Sequence, residues 1–150
     1  MIIIVESGAT KTDWCAAAQD REAIDVRTAG MNLATMDQDV IEGIVREAVF
    51  AFREKGLSDD VTEVHFYAAG LIVPEGEKVP RQAKGLDNVL RSLFPGAEME
   101  YASDLLDAAR AVCGHKPGVA AIMGTGSNSC LFDGTNVVKN VRSAGFILGD

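Results

Sequence analysis

The sequence predicts an α/β fold, a mixed sheet with helices packed against it, in the order βββαβαβα. Three observations carry that prediction. A β-branched run, Ile2-Ile3-Ile4-Val5, is followed by two more strand-like segments before any helix. A stretch from Met36 to Lys55 repeats apolar residues at helical spacing. Beyond it, strand-like and helix-like patterns alternate along the chain.

The opening run reads as a strand buried on both faces and breaks at Ser7-Gly8-Ala9-Thr10. A second strand covers Thr12 to Ala18, and the polar patch Gln19-Asp20-Arg21-Glu22 turns the chain into a third around Ile24 to Arg27. Thr35 and Gln38 form a capping box ahead of the first helix, whose apolar face is Val40, Ile41, Ile44, Val45, Ala48, Val49 and Phe52, with Gly56 at the C-terminal cap. Val64, Phe66 and Ala68 alternate with His65 and Tyr67 in a fourth strand that ends at Gly70. Ala83, Leu86, Val89, Leu90 and Leu93 mark a second helix stopped by Pro95-Gly96, Ala97 to Ala102 gives a fifth strand, and a third helix starts near Asp104. After the punctuation at Cys113-Gly114-His115-Lys116-Pro117-Gly118, three strands follow over Val119 to Met123, Asn128 to Phe132 and Val137 to Val141. This tail repeats the N-terminal plan of strand, Gly and hydroxyl turn, strand, polar turn, strand. Residues 1–117 are therefore expected to form one domain and 118–150 to open a second of the same kind. The apolar run that closes the chain predicts a truncated second copy.

Composition narrows the function. Of 150 residues, 47% are hydrophobic and 24% charged, enough for a buried core. The 14 basic and 22 acidic residues leave a net charge of -8, a field that repels nucleic acid and anionic membranes. Small anions can bind only where backbone donors or a few cations outweigh that field. No apolar run has the length of a membrane span or the basic flank of a secretory signal, and Cys15, Cys113 and Cys130 lack any Cys-x-x-Cys spacing. Reduced, buried thiols in a cytoplasmic protein are expected.

Two turns have the composition that holds phosphate: Gly8-Ala9-Thr10-Lys11-Thr12 and Gly124-Thr125-Gly126-Ser127-Asn128. Glycine lets backbone N–H groups approach an anion, the hydroxyls add donors, and Lys11 adds charge. Neither turn is a P-loop or a dinucleotide fingerprint, and each alone would serve as an ordinary hairpin turn; their recurrence at equivalent points of a repeat favours phosphate. Asp104 stands where a strand gives way to a helix. There it can accept a proton from an attacking hydroxyl, or simply favour the helix dipole, the role also expected of Asp107. Glu6 can hold a hydrated Mg²⁺ indirectly. His65 and His115 have no partner at ligand spacing, and Trp14 reads as core.

Together, Glu6 to Asp13, Ser103-Asp104 and Gly124 to Asn128 resemble the family of N-acetylglucosamine kinases and BadF/BcrA-type ATPases, over nearly the whole chain. That family belongs to the actin-like ATPases, whose domains are ribonuclease H-like. The resemblance implies that the first turn is a phosphate-1 hairpin (Ser7, Gly8, Ala9, Thr10, Lys11, Thr12), that Gly124, Thr125, Gly126 and Ser127 belong to a phosphate-2 hairpin, and that Asp104 is the catalytic base. It places Thr28-Ala29-Gly30-Met31-Asn32 by a sugar bound by Asn32, Asp104, Thr125 and Asp150, although Asn32 also suits a turn before the first helix. ATP and Mg²⁺, the latter near Glu6, are the implied cofactors. Ala144 to Asp150 is similar to the start of the family's Gly-Asp-Glu-Gly-Ser-Gly region. Glu6 stands where the family has Asp, Leu33 where Pro is frequent, and Ala68 where Gly is frequent.

The expected activity is transfer of the ATP γ-phosphate to a hydroxyl of an amino sugar, N-acetylglucosamine first, by a chain that alone is inactive and that can pair as a homodimer. Two other readings remain: an activator ATPase sharing a [4Fe–4S] cluster between subunits, for which no convincing thiolate pair is present, and a sugar- or nucleotide-binding sensor without catalysis.

Overall fold

The computed structural model describes residues 1–58, 60–74, 76–123 and 127–141, which fall into two compact units, Met1–Ser103 and Asp104–Asp150. In the first, strands β1 (Ile2–Ser7), β2 (Lys11–Ala18), β3 (Arg21–Ala29), β4 (Glu63–Ala68) and β5 (Glu98–Ser103) form one sheet in the order β3-β2-β1-β4-β5. The meander pairs antiparallel, and β4 and β5 add in parallel after helices α1 (Gln38–Glu54) and α2 (Lys84–Leu93), the latter led by a 3₁₀ turn at Arg81–Ala83. The mixed βββαβαβ order matches the prediction.

Strand alternation puts Ile3, Val5, Trp14, Val26, Val64 and Phe66 on one face, where Ile41, Val45, Phe52, Leu86 and Leu90 of the two helices complete a single core. Trp14 is core as expected, with its indole N–H donated to Thr28 Oγ1 at 2.9 Å and its ring edge-on to Phe66. Burial on both faces of β1 does not hold: Ile4, pointing the other way, is 41% exposed, and Val40 likewise lies off the apolar stripe of α1.

The capping box also fails to form. Asn32 turns the chain first, its carbonyl accepting from Thr35 and Met36 and its Oδ1 from Ala34 N, so Thr35 is spent in the turn and Asp37 becomes the extended N-cap residue. The other end is as expected. Gly56 at φ 92° lets its N–H reach Arg53 O while Leu57 N–H reaches Phe52 O, a Schellman closure that a side chain at Gly56 would strain.

Tyr101 on β5 donates its hydroxyl to Asp87 Oδ1 at 2.9 Å, and Arg91 holds the other oxygen. Burial, then the Asp87 carboxylate, pushes the Tyr101 pKa upward. A group whose folded pKa lies above its unfolded value contributes stability that is full below the unfolded pKa, about 10 for tyrosine, and lost as pH rises beyond it. Tyr101→Phe is therefore expected to flatten the alkaline limb of a stability-against-pH curve, measured by urea unfolding at pH 9 to 11; an unchanged slope would exclude Tyr101 as its source.

In the second unit, α3 (Asp104–Cys113) packs against a separate antiparallel sheet, β6 (Gly118–Met123), β7 (Ser127–Phe132) and β8 (Val137–Val141), through Leu105, Ala109, Ala120, Cys130 and Phe132. Helix α3 thus buries Leu105 and Ala109 against this sheet. Asp133 Oδ1 accepts from Thr135 and Asn136 N–H to close the β7–β8 turn, which lowers its pKa. The three cysteines are free; Cys130 is buried, whereas Cys15 and Cys113 are only partly so, and burial raises the pKa of Cys15 and Cys130.

Candidate functional site

The β1–β2 turn is built from beneath. Ser7 and Thr12 are the last paired residues of the two strands, both fully buried, and their hydroxyls lie 3.0 Å apart in a hydrogen bond. Ser7 Oγ also reaches Met31 O at 3.4 Å, and Ser7 O accepts Ala69 N–H from the end of β4. These hydroxyls face inward, so they brace the turn. Above them Gly8 N–H closes on Lys11 O at 2.9 Å, while Ala9, Thr10 and Lys11 are exposed. The chain leaving β3 runs directly alongside: a Cβ on Gly30 would lie 2.5 Å from Gly8 O and 2.6 Å from the Ala9 carbonyl. Glycine at position 30 is what allows that approach.

On the sheet face away from the helices, Tyr67, Glu6, Asp13 and Arg27 form one row across four strands. Lys11 Nζ donates to Asp13 Oδ2 at 2.7 Å and Arg27 Nε to Asp13 Oδ1 at 2.5 Å. Lys11 and then Arg27 hold the Asp13 carboxyl below the usual carboxylate range. His65, in the same face, lies between Glu100 and Glu63 at 2.7 and 2.9 Å. Among the described residues no three His, Cys, Asp or Glu side chains are grouped to hold a metal.

Asn32 is exposed just past Gly30, its Oδ1 engaged by Ala34. Asp104 is the first residue of α3 and half-buried, with Asp107 beside it in the first turn. Ser127 and Asn128 begin β7, half-buried. Gly124, Thr125, Gly126 and Asp150 lie outside the described residues. The first turn and Asn32 thus belong to the first unit, Asp104 and Ser127 to the second.

Sequence reading gave no role to Asp13, Arg27 or the close approach of Gly30. The oppositely charged residues on neighbouring strands are visible in the sequence, but their pairing depends on a β-bulge. Ala18 pairs with Arg21, and counted back in unbroken register Asp13 would face Val26; the irregularity between Ala16 and Ala18 moves Arg27 opposite it.

A fold of this kind recurs in solved structures. No protein-family model matches the chain, and no curated protein sequence does. A crystal structure of a Porphyromonas gingivalis protein assigned as an N-acetylglucosamine kinase is 40% identical over 100% of this chain and 50% of its own, with a TM-score of 0.80. A Chromobacterium violaceum protein with the same assignment is 19% identical over 87% of this chain and 44% of its own, TM-score 0.62. The ROK hexokinase of Thermus thermophilus is 17% identical over 91% and 48%, TM-score 0.65. The last two show the fold alone, and the chain spans about half the length of each of the three. The 40% identity is spread over an alignment that covers the whole chain, and with the mixed βββαβαβ sheet followed by a second sheet it gives the relationship: this chain has the actin-like ATPase fold found in sugar kinases and corresponds to its N-terminal half.

Proposed function

We propose that this chain is the front half of an ATP-dependent kinase that phosphorylates a hydroxyl of an amino sugar, with N-acetylglucosamine as the acceptor. The observation that carries the reading is the braced β1–β2 turn, with Ala9, Thr10 and Lys11 exposed above it, in a chain 40% identical along its whole length to a protein assigned to that activity. In this reading residues 1–117 make the first ribonuclease H-like domain of the whole protein and 118–150 open the second.

The residues of the turn fit a phosphate group. Beside Gly8 the turn carries only the small, exposed side chains of Ala9 and Thr10, and Lys11 supplies a cation that is paired with Asp13. Ser7 and Thr12 serve by holding the turn in shape, and Gly124 to Ser127 grip the second phosphate hairpin's share. Mg²⁺ would be held mainly by water and phosphate oxygens, with the exposed Glu6 as an indirect partner, because no described trio of ligands is available to bind it directly. Such an ion offsets charge on the transferring phosphoryl group. Asp104 accepts the proton of the attacking sugar hydroxyl, while Asn32, Thr125 and Asp150 hydrogen-bond the sugar and set its orientation. Transfer of this kind depends chiefly on positioning and charge, which suits a site of backbone donors, one lysine and one carboxylate.

An ATP-coupled assay of the whole protein over a panel of glucose, glucosamine, N-acetylglucosamine and N-acetylmuramate is expected to give its highest kcat/KM with N-acetylglucosamine. Preference for another sugar would replace the acceptor; no phosphorylation of any sugar would remove the kinase reading. The 150 residues alone are expected to bind ATP weakly and to turn over no sugar.

A further inference from the structure

Lys11 is not held in reserve as a free cation. Its ammonium is bound to Asp13, and the other oxygen of that carboxylate is bound to Arg27, so one anion serves two cations on neighbouring strands. All three side chains reach solvent, at 56% for Lys11, 32% for Asp13 and 66% for Arg27. A lysine paired with a carboxylate must leave it before its charge can serve a phosphate. The strength of that hold depends on how much of the Asp13 charge is left to Lys11. A guanidinium on the second oxygen draws part of it away, and in an exposed setting the remaining attraction is small and readily exchanged. Asp13 and Arg27 therefore act on Lys11 with opposite signs.

We propose that Arg27 is a positioning residue of the phosphate site: by sharing Asp13 it allows Lys11 to pass from its carboxylate partner to an incoming phosphate. The proposal rests on the reading of the β1–β2 turn as phosphate-binding. It assigns Asp13 the role of a competing anion that parks Lys11 at the turn.

The test is a titration of the isotopically labelled chain with inorganic tripolyphosphate at about 0.15 M ionic strength, where charges farther apart than about 8 Å are largely screened. The readout is the backbone amide shifts of Gly8, Ala9 and Thr10. Arg27→Gln is expected to weaken binding about threefold and Asp13→Asn to strengthen it about threefold, the size of an exposed ion pair. Combined with Asp13→Asn, Arg27→Gln should change nothing, and Arg27→Lys should restore most of the affinity. Equal weakening by Arg27→Gln with and without Asp13 would overturn the proposal, since Arg27 would then act on the phosphate itself; so would no effect of Arg27→Gln at all. If the turn amides do not respond, or Lys11→Met leaves affinity unchanged, the phosphate reading fails and takes the proposal with it. Loss on Lys11→Met alone sinks only the role of Arg27.

Discussion

Asp104→Asn in the whole protein is expected to lower kcat by about 10²- to 10⁴-fold, the range of a positioned general base, while sugar binding stays within a few-fold of the parent. Asparagine keeps the size of the side chain and one acceptor oxygen but cannot take a proton at neutral pH. The rival explanation of Asp104 predicts something different. As first residue of α3 it sits where an acid favours the helix dipole, with Asp107 a second acid in the same turn. If that were its whole role, Asp104→Asn would change stability by a few tenths of a kcal/mol to about 1 kcal/mol and leave turnover intact. Steady-state kinetics with calorimetric sugar binding separate the two, and unchanged kcat would remove Asp104 from the chemistry.

Gly30→Ala is expected to destabilise the first unit by about 1 to 3 kcal/mol, because the new methyl would meet backbone that has no rotamer to escape into. The atoms it would strike are Gly8 O and the Ala9 carbonyl, at 2.5 and 2.6 Å. Relief requires the β1–β2 turn to move, so any affinity of the turn for phosphate should fall with stability. Gly43→Ala is the control. Gly43 is exposed within α1 with nothing within 4 Å of an added Cβ, and there the same change is expected to stabilise by up to about 1 kcal/mol. Urea unfolding of both variants checks the pair; Gly30→Ala as stable as the parent would mean that the turn is not held by this approach.

Much of the first unit was legible because its signals are local. The alternation of Val64, Phe66 and Ala68, the helical spacing from Ile41 to Phe52 and the cap at Gly56 each depend on neighbours in the chain. Where a local rule failed, another local contact had won: Asn32 took the N–H groups of Ala34, Thr35 and Met36, and the helix began at Gln38. The full reach of β3, Arg21–Ala29, was missed because its exposed N-terminal residues, Arg21, Glu22 and Ala23, carry little hydrophobic pattern.

The candidate site divides along the same line. The sequence by itself determined the turn chemistry of Gly8 to Lys11, the strand-to-helix position of Asp104 and the repeat that makes both worth reading, since composition and spacing are properties of the chain. Only the tertiary structure decided that Ser7 and Thr12 face inward, that Gly30 presses on the turn, that α3 packs with the second sheet and that Arg27 reaches Asp13. Each of those depends on strand register or on which apolar surface a helix finds. A single extra residue in β3, where Glu22 and Ala23 stand opposite Ala17, is enough to exchange the partner of Asp13, and the energy that selects it is spread over the packed faces of the whole sheet.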